Sequence, residues 1–192
     1  MFFFFDSTQR TVSGFDIHYD GPILDAMAVG ILHTHLQLIV EGVAHDMLVE
    51  EGILPRSAAQ ARKRLRTRSG PVVRVVVDDV EVGSLIEQVS VMVSPLLGDP
   101  MVVAVLQGLA TNVVWELARC GVPRVRALGS TQPSSRRETK KALSRTASLL
   151  RDIIEAFNET GDCQPRKITI RTRGGDEITV DLGPVQSSKN GG

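Results

Sequence analysis

The chain has 192 residues, 42% of them apolar and 23% charged, with 22 basic and 22 acidic side chains. Such values exclude a disordered chain or a stapled mini-domain, because one domain of this size buries an adequate core without disulfides or metals. The zero net charge hides segregation: residues 1–55 hold eight acids against Arg10, residues 56–74 seven bases and no acid, and residues 119–151 nine bases against Glu138.

Gly14 to Tyr19 alternates apolar and polar residues and reads as a short strand closed by the turn Asp20-Gly21-Pro22. Pro22 suits the first turn of a helix running from Ile23 to about Glu51. Val29, Leu32, Leu36, Ile39, Val43 and Met47 give it a bundle-type apolar seam. His33, Gln37, Glu41 and His45 recur every four residues on the side away from the seam and read as a solvated ridge. The same ridge offers a Glu-x-x-x-His pair to a divalent ion, but too few ligands for a closed tetrahedral site, so no metal is expected.

After Pro55, Ser57 and Gln60 have capping-box spacing and open a short basic helix to about Arg68. Arg62, Lys63, Arg64, Arg66 and Arg68 are its candidate anion- or nucleic-acid-binding residues. No aromatic residue is interleaved to stack on bases. Pairing with the acidic 1–55 region, in the same chain or in a neighbouring subunit, is therefore favoured over nucleic acid.

Two β-rich runs follow, Val72 to Val80 and Leu85 to Val93, joined near Gly83-Ser84 as a hairpin. Valines on both faces of the first run predict an inner strand covered on two sides. Asp79 and Glu81 share a face with Glu87 across from them, a set that can do acid–base work but that also suits a soluble turn.

Asp99 caps and Pro100 starts a helix to about Cys120, with Gly121 as its stop. Within it Met101 to Ala118 carries a single charge, Glu116, and is at the short limit for crossing a membrane. A helix buried in protein is the expectation, with no transmembrane span. Its apolar content makes Val103, Leu106, Val114 and Trp115 candidate interface residues.

Residues 121–135 read as an exposed loop. Ser135 and Glu138 form a second capping box, and the helix they open carries Leu143, Ala147, Leu150, Ile154 and Phe157 on one side before Gly161 ends it. Lys167 to Thr172 and Glu177 to Leu182 flank Gly174-Gly175 as a second hairpin. The predicted fold is α+β: two antiparallel β-hairpins and an N-terminal strand packed with three to four helices. It makes a single domain over residues 1–186, with residues 187–192 a flexible tail.

Neither a serine-nucleophile signature, a glycine-rich phosphate loop nor a zinc-deaminase motif occurs, so no catalytic residue and no cofactor is expected. Cys120 and Cys163 lie far apart and form no framework, and Phe2 to Phe5 stops at Asp6 without a basic flank, too short for a signal peptide. Both point to the cytoplasm.

From Val72 to Ala118 the chain runs as a valine-rich hairpin through Gly83-Ser84, a proline-containing turn and a strongly apolar helix. That segment resembles small adaptor modules of bacterial conflict systems that are compared to the N-terminal domain of the death-receptor adaptor TRADD. The resemblance covers about a quarter of the chain and implies work by protein–protein association, without an active site. The expectation is thus a non-catalytic interaction or self-assembling adaptor protein, with a homo-oligomer or another protein as partner. A nucleic-acid or anionic-ligand binding protein using residues 56–68 is the alternative. An enzyme whose site is assembled from distant residues also stays open.

Overall fold

The computed structural model describes residues 10–20, 25–54, 73–81, 86–93, 99–123, 125–128, 140–159 and 167–182. The basic segment 56–68, both capping boxes and the tail lie outside them.

Strand β1, Arg10–Asp20, turns Phe15, Ile17 and Tyr19 inward and leaves Asp16 and His18 on the other face. It reaches back beyond the alternating stretch because its first residues pair with the end of β3, Arg10 opposite Val93. The two expected hairpins form as β2 (Val73–Glu81) with β3 (Ile86–Val93), and β5 (Lys167–Thr172) with β6 (Glu177–Asp181). They flank β1, one on each side, in a six-stranded sheet of order β2-β3-β1-β5-β6-β4 in which every neighbouring pair is antiparallel. The central strand thus pairs with segments far away in sequence, a topology that folds slowly because loop closure precedes the reward.

Among the described residues three helices pack on one face of that sheet and a fourth lies over them, which makes the class α+β. Helix α1, Ala26–Glu50, is capped by Asp25, whose carboxylate accepts from the amides of Met27 (2.7 Å) and Ala28 (3.0 Å). Leu32, Leu36, Ile39 and Val43 of its seam are buried, and Val29 and Met47 are partly so. Helices α2, Pro100–Leu106, and α3, Leu109–Arg119, replace the single helix expected there. The break falls at Gln107-Gly108, where the Ser13 hydroxyl on β1 accepts from the amide of Ala110 (3.1 Å) in the first turn of α3. Gly121, at φ +75°, ends α3 as expected, in a left-handed conformation that other residues adopt at a cost. Helix α4, Lys140–Glu159, rests on α1 and α3 rather than on the sheet.

Two further sequence expectations are corrected. β2 is an edge strand, not an inner one. Val73, Val75, Val77 and Val80 occupy the helix-facing side and Val76 the other, but exposure climbs along the strand from 0% at Val73 to 40% at Val77 and 48% at Val80. Valine runs report β propensity as readily as double coverage. The loop expected at 121–135 contains β4, Val125–Leu128, which pairs with β6 as the opposite edge of the sheet. Four residues are too few to show a period of two.

The core is one cluster joining the inward faces of β1, β3, β5 and β6 with α1, α3 and α4. The other face of the sheet is polar. Arg171 and Glu177 form an ion pair across β5 and β6, with the Arg171 Nε donating at 2.8 Å, and Thr169 meets Thr179 at 3.3 Å.

Candidate functional site

The flank where α1 overhangs β2 gathers the irregular chemistry of the chain. The polar ridge on α1 is not simply solvated. The Gln37 side chain lies along the outer edge of β2, its amide donating to the Val73 carbonyl (2.7 Å) and accepting from the Val75 amide (2.7 Å). It thereby satisfies the backbone groups that a neighbouring strand would otherwise seek. Gln37 also donates to Glu41 (2.7 Å), and His45 stands 3.3 Å from Asp46. Among the described residues no three potential ligands gather into a metal site.

Beyond Val75 the edge is blunted differently. The register slips between Val77 and Asp79, a bulge that leaves Asp78 hydrogen-bonded to Ser90 and lets Asp79 accept from the Val80 amide (2.8 Å). A bulge and two exposed aspartates discourage a foreign strand from adding here. The same slip puts Val77 and Val80 on one face although they are three residues apart, since Val77 pairs with Val89 and Val80 with Glu87. Both are exposed, and α1, which packs on β2, carries an exposed stripe of its own made of Met27 (78%), Gly30 and Thr34.

Next to these valines lies a buried polar cluster. Glu87, on the helix side of β3, accepts from the Tyr19 hydroxyl (2.9 Å) and meets His33 Nε2 at 2.8 Å, both on Oε2. Burial alone would raise the Glu87 pKa, but the bonds from His33 and Tyr19 outweigh it and hold the carboxyl below its usual range. Burial, then the charge and hydrogen bond of Glu87, push the Tyr19 phenol well above its usual range. A carboxylate that orients a histidine is acid–base geometry. Here, however, the carboxylate is sunk between three elements and joins α1 to the sheet. The carboxylate set read from the sequence does not converge, because Asp79 pairs with Gln88 on the opposite face from Glu87.

The candidate interface residues divide. Leu106 and Val114 turn into the core of the subunit, at 0% and 3% exposure, while Val103 and Trp115 are half-buried. The apolar content of this segment follows from coverage on two sides, since α3 lies between the sheet and α4. On its α4 side the buried Glu116 accepts from the Thr146 hydroxyl (2.6 Å). Among the described residues two helical stretches, Ala26–Glu50 and Pro100–Arg119, are long and apolar enough by length and composition to cross a membrane, where the sequence points to the second alone. Arg62, Lys63, Arg64, Arg66 and Arg68 lie outside the described residues.

Comparison with protein-family models, curated proteins and solved structures finds no match for this chain.

Sequence reasoning missed Gln37 as an edge clamp and Tyr19 as a partner of Glu87. The four-residue spacing of the ridge was the available signal for Gln37. Nothing local marks Tyr19, since its partners come from β3 and α1.

Proposed function

We propose that the protein is a non-catalytic interaction protein of the cytoplasm that associates with a second copy of itself through the flank of α1 and β2. The exposure of Val77 and Val80 on β2, together with that of Met27 on the α1 helix packed against it, carries this reading. The edge of β2 is closed to strand addition by Gln37 and by the bulge, so the partner packs face-on against the valines. A stable interface needs roughly 1,200–2,000 Å² of total buried surface, more than two valines supply, so the Met27-Gly30-Thr34 stripe belongs to it. Zero net charge removes the repulsion that keeps strongly charged chains apart, and the acidic and basic segments of two copies attract one another. The likeness of Val72 to Ala118 to TRADD-like adaptor modules points the same way. Nucleic acid is less well served, because no aromatic residue stands exposed on the open sheet face among the described residues.

Light scattering at micromolar concentration tests the proposal. The wild type is expected as a dimer or larger, and Val77→Lys with Val80→Lys as a monomer of unchanged circular dichroism. A monomeric wild type, or a double variant that still assembles, overturns it.

A further inference from the structure

At the opposite end of β1 from the Glu87 cluster, a cleft of about 300 Å³ opens between the start of β1, the α2–α3 break and the β5–β6 turn. Its polar lining comes from Thr11, Ser13, Gln107, Thr111, Thr172 and Arg173, and no carboxylate lines it. Thr111 spends its hydroxyl on the buried Asp176 carboxylate behind the lining (3.0 Å), whereas two other hydroxyls act as acceptors. Ser13 Oγ accepts from the Ala110 amide (3.1 Å), and Thr172 Oγ1 accepts from the Asp176 amide (3.1 Å). Each hydroxyl keeps its hydrogen to donate. Arg173 forms no ion pair or hydrogen bond with any other described residue, and its guanidinium carries five donors. Gly14 leaves room for it: a Cβ there would stand 3.3 Å from Arg173 Nε and 3.0 Å from the Val89 carbonyl oxygen. The register shift between Thr11 and Ser13 bends β1 at the same place. The first turn of α3 contributes little, because Ser13 already takes its Ala110 amide.

We propose that this cleft binds a small ligand through an oxyanion, a carboxylate or phosphate group, with Arg173 as its cation and the Ser13 and Thr172 hydroxyls as further donors. A wall that presents Arg173 and two hydroxyl donors, with the adjoining Asp176 carboxylate buried and engaged by Thr111, selects a ligand that presents acceptors. The volume is at the lower end of small-molecule sites, so the ligand is small or enters by its anionic end alone. The site is separate from the α1–β2 flank and does not depend on self-association.

Calorimetric titration of the full chain with inorganic phosphate and, separately, with acetate tests this. Saturable millimolar or tighter binding of at least one probe is expected. Arg173→Gln should weaken it at least tenfold while leaving the ligand-free melting temperature unchanged. Arg171→Gln, which removes the neighbouring guanidinium already paired with Glu177, should leave binding intact. Tighter phosphate than acetate assigns a phosphorylated ligand, and the reverse order a carboxylate. No saturable binding of either probe, or binding that Arg173→Gln leaves unchanged, overturns the proposal.

Discussion

Tyr19 and His33, on β1 and α1, meet on a single atom, Oε2 of Glu87, at 2.9 and 2.8 Å. One carboxylate on β3 thereby fixes the N-terminal half of α1 against the middle of the sheet. Removing it leaves a buried phenol without an acceptor, a loss worth about 1–3 kcal/mol. Glu87→Ala is expected to lower stability by that amount in chemical denaturation, and Glu87→Gln by less, since its amide oxygen still accepts one bond.

The same cluster sets a pH window. Because the native Glu87 carboxyl titrates below its unfolded value, its contribution is present above about pH 4 and disappears as pH falls through the lowered native pKa. Tyr19 titrates above its unfolded value, so its contribution is present below about pH 10 and disappears as pH rises beyond that. Tyr19 is the single tyrosine of the chain, which makes the alkaline limb directly visible. Tyrosinate absorbance is expected to appear only together with unfolding. In Glu87→Gln the acid limb of the melting temperature should flatten. A smooth tyrosinate titration near pH 10 in folded protein would contradict the geometry.

Gln37 protects half of a sheet edge with one side chain. Gln37→Leu keeps the volume but leaves the Val73 carbonyl and the Val75 amide without their partner. A loss of about 1 kcal/mol is expected from the missing bonds. The more telling consequence is aggregation on standing, followed by light scattering and thioflavin fluorescence, because a freed valine-rich edge templates strand addition. Gln37→Glu can still accept from Val75 but sets a carboxylate against Glu41 and the Val73 carbonyl, so it should lose more stability than Gln37→Leu at neutral pH.

Much of the architecture was legible because it is written locally. The β5–β6 hairpin announces itself through Gly174-Gly175, the α1 seam through Leu32, Leu36 and Val43, and the start of α2 through Asp99-Pro100. What escaped the sequence is fixed by distant partners. β2 becomes an edge only because β1 takes the other side of β3. The α2–α3 break depends in part on Ser13, which reaches Ala110 from another element. The two polar devices on the α1–β2 flank escaped for the same reason, since Gln37 and Glu87 find their partners only once α1 lies across the hairpin.

Whether the apolar stretch from Met101 to Ala118 serves the core or a partner is separable by substitution. Leu106 is fully buried and Met101 is 64% exposed on the same short helix. Leu106→Ala is expected to cost about 2–5 kcal/mol, as in other cores. Met101→Ala should change stability by less than about 0.5 kcal/mol. Half-buried Trp115, the single tryptophan, reports unfolding by fluorescence. If Met101→Asp dissociates an oligomer that Val77→Lys with Val80→Lys leaves intact, the interface lies on α2 and not on the α1–β2 flank.

The basic segment decides between self-association and nucleic-acid binding. If Arg62, Lys63, Arg64, Arg66 and Arg68 neutralise the acidic 1–55 region, within a chain or between two, Arg64→Ala with Arg66→Ala should lower stability or assembly. Nucleic-acid binding would then have little to lose. If the same residues grip phosphates, the double variant should keep its stability, while the logarithmic salt dependence of duplex binding flattens by about two units, roughly one per contact. The measurement is binding to duplex and single-stranded DNA and RNA over a salt series, beside thermal denaturation of both proteins. Weak binding without sequence preference is expected, because the segment carries charge but no aromatic residue, and no aromatic residue stands exposed on the open face of the sheet among the described residues. Sub-micromolar binding at physiological salt, weakened in the variant with no fall in stability, would assign the segment to nucleic acid.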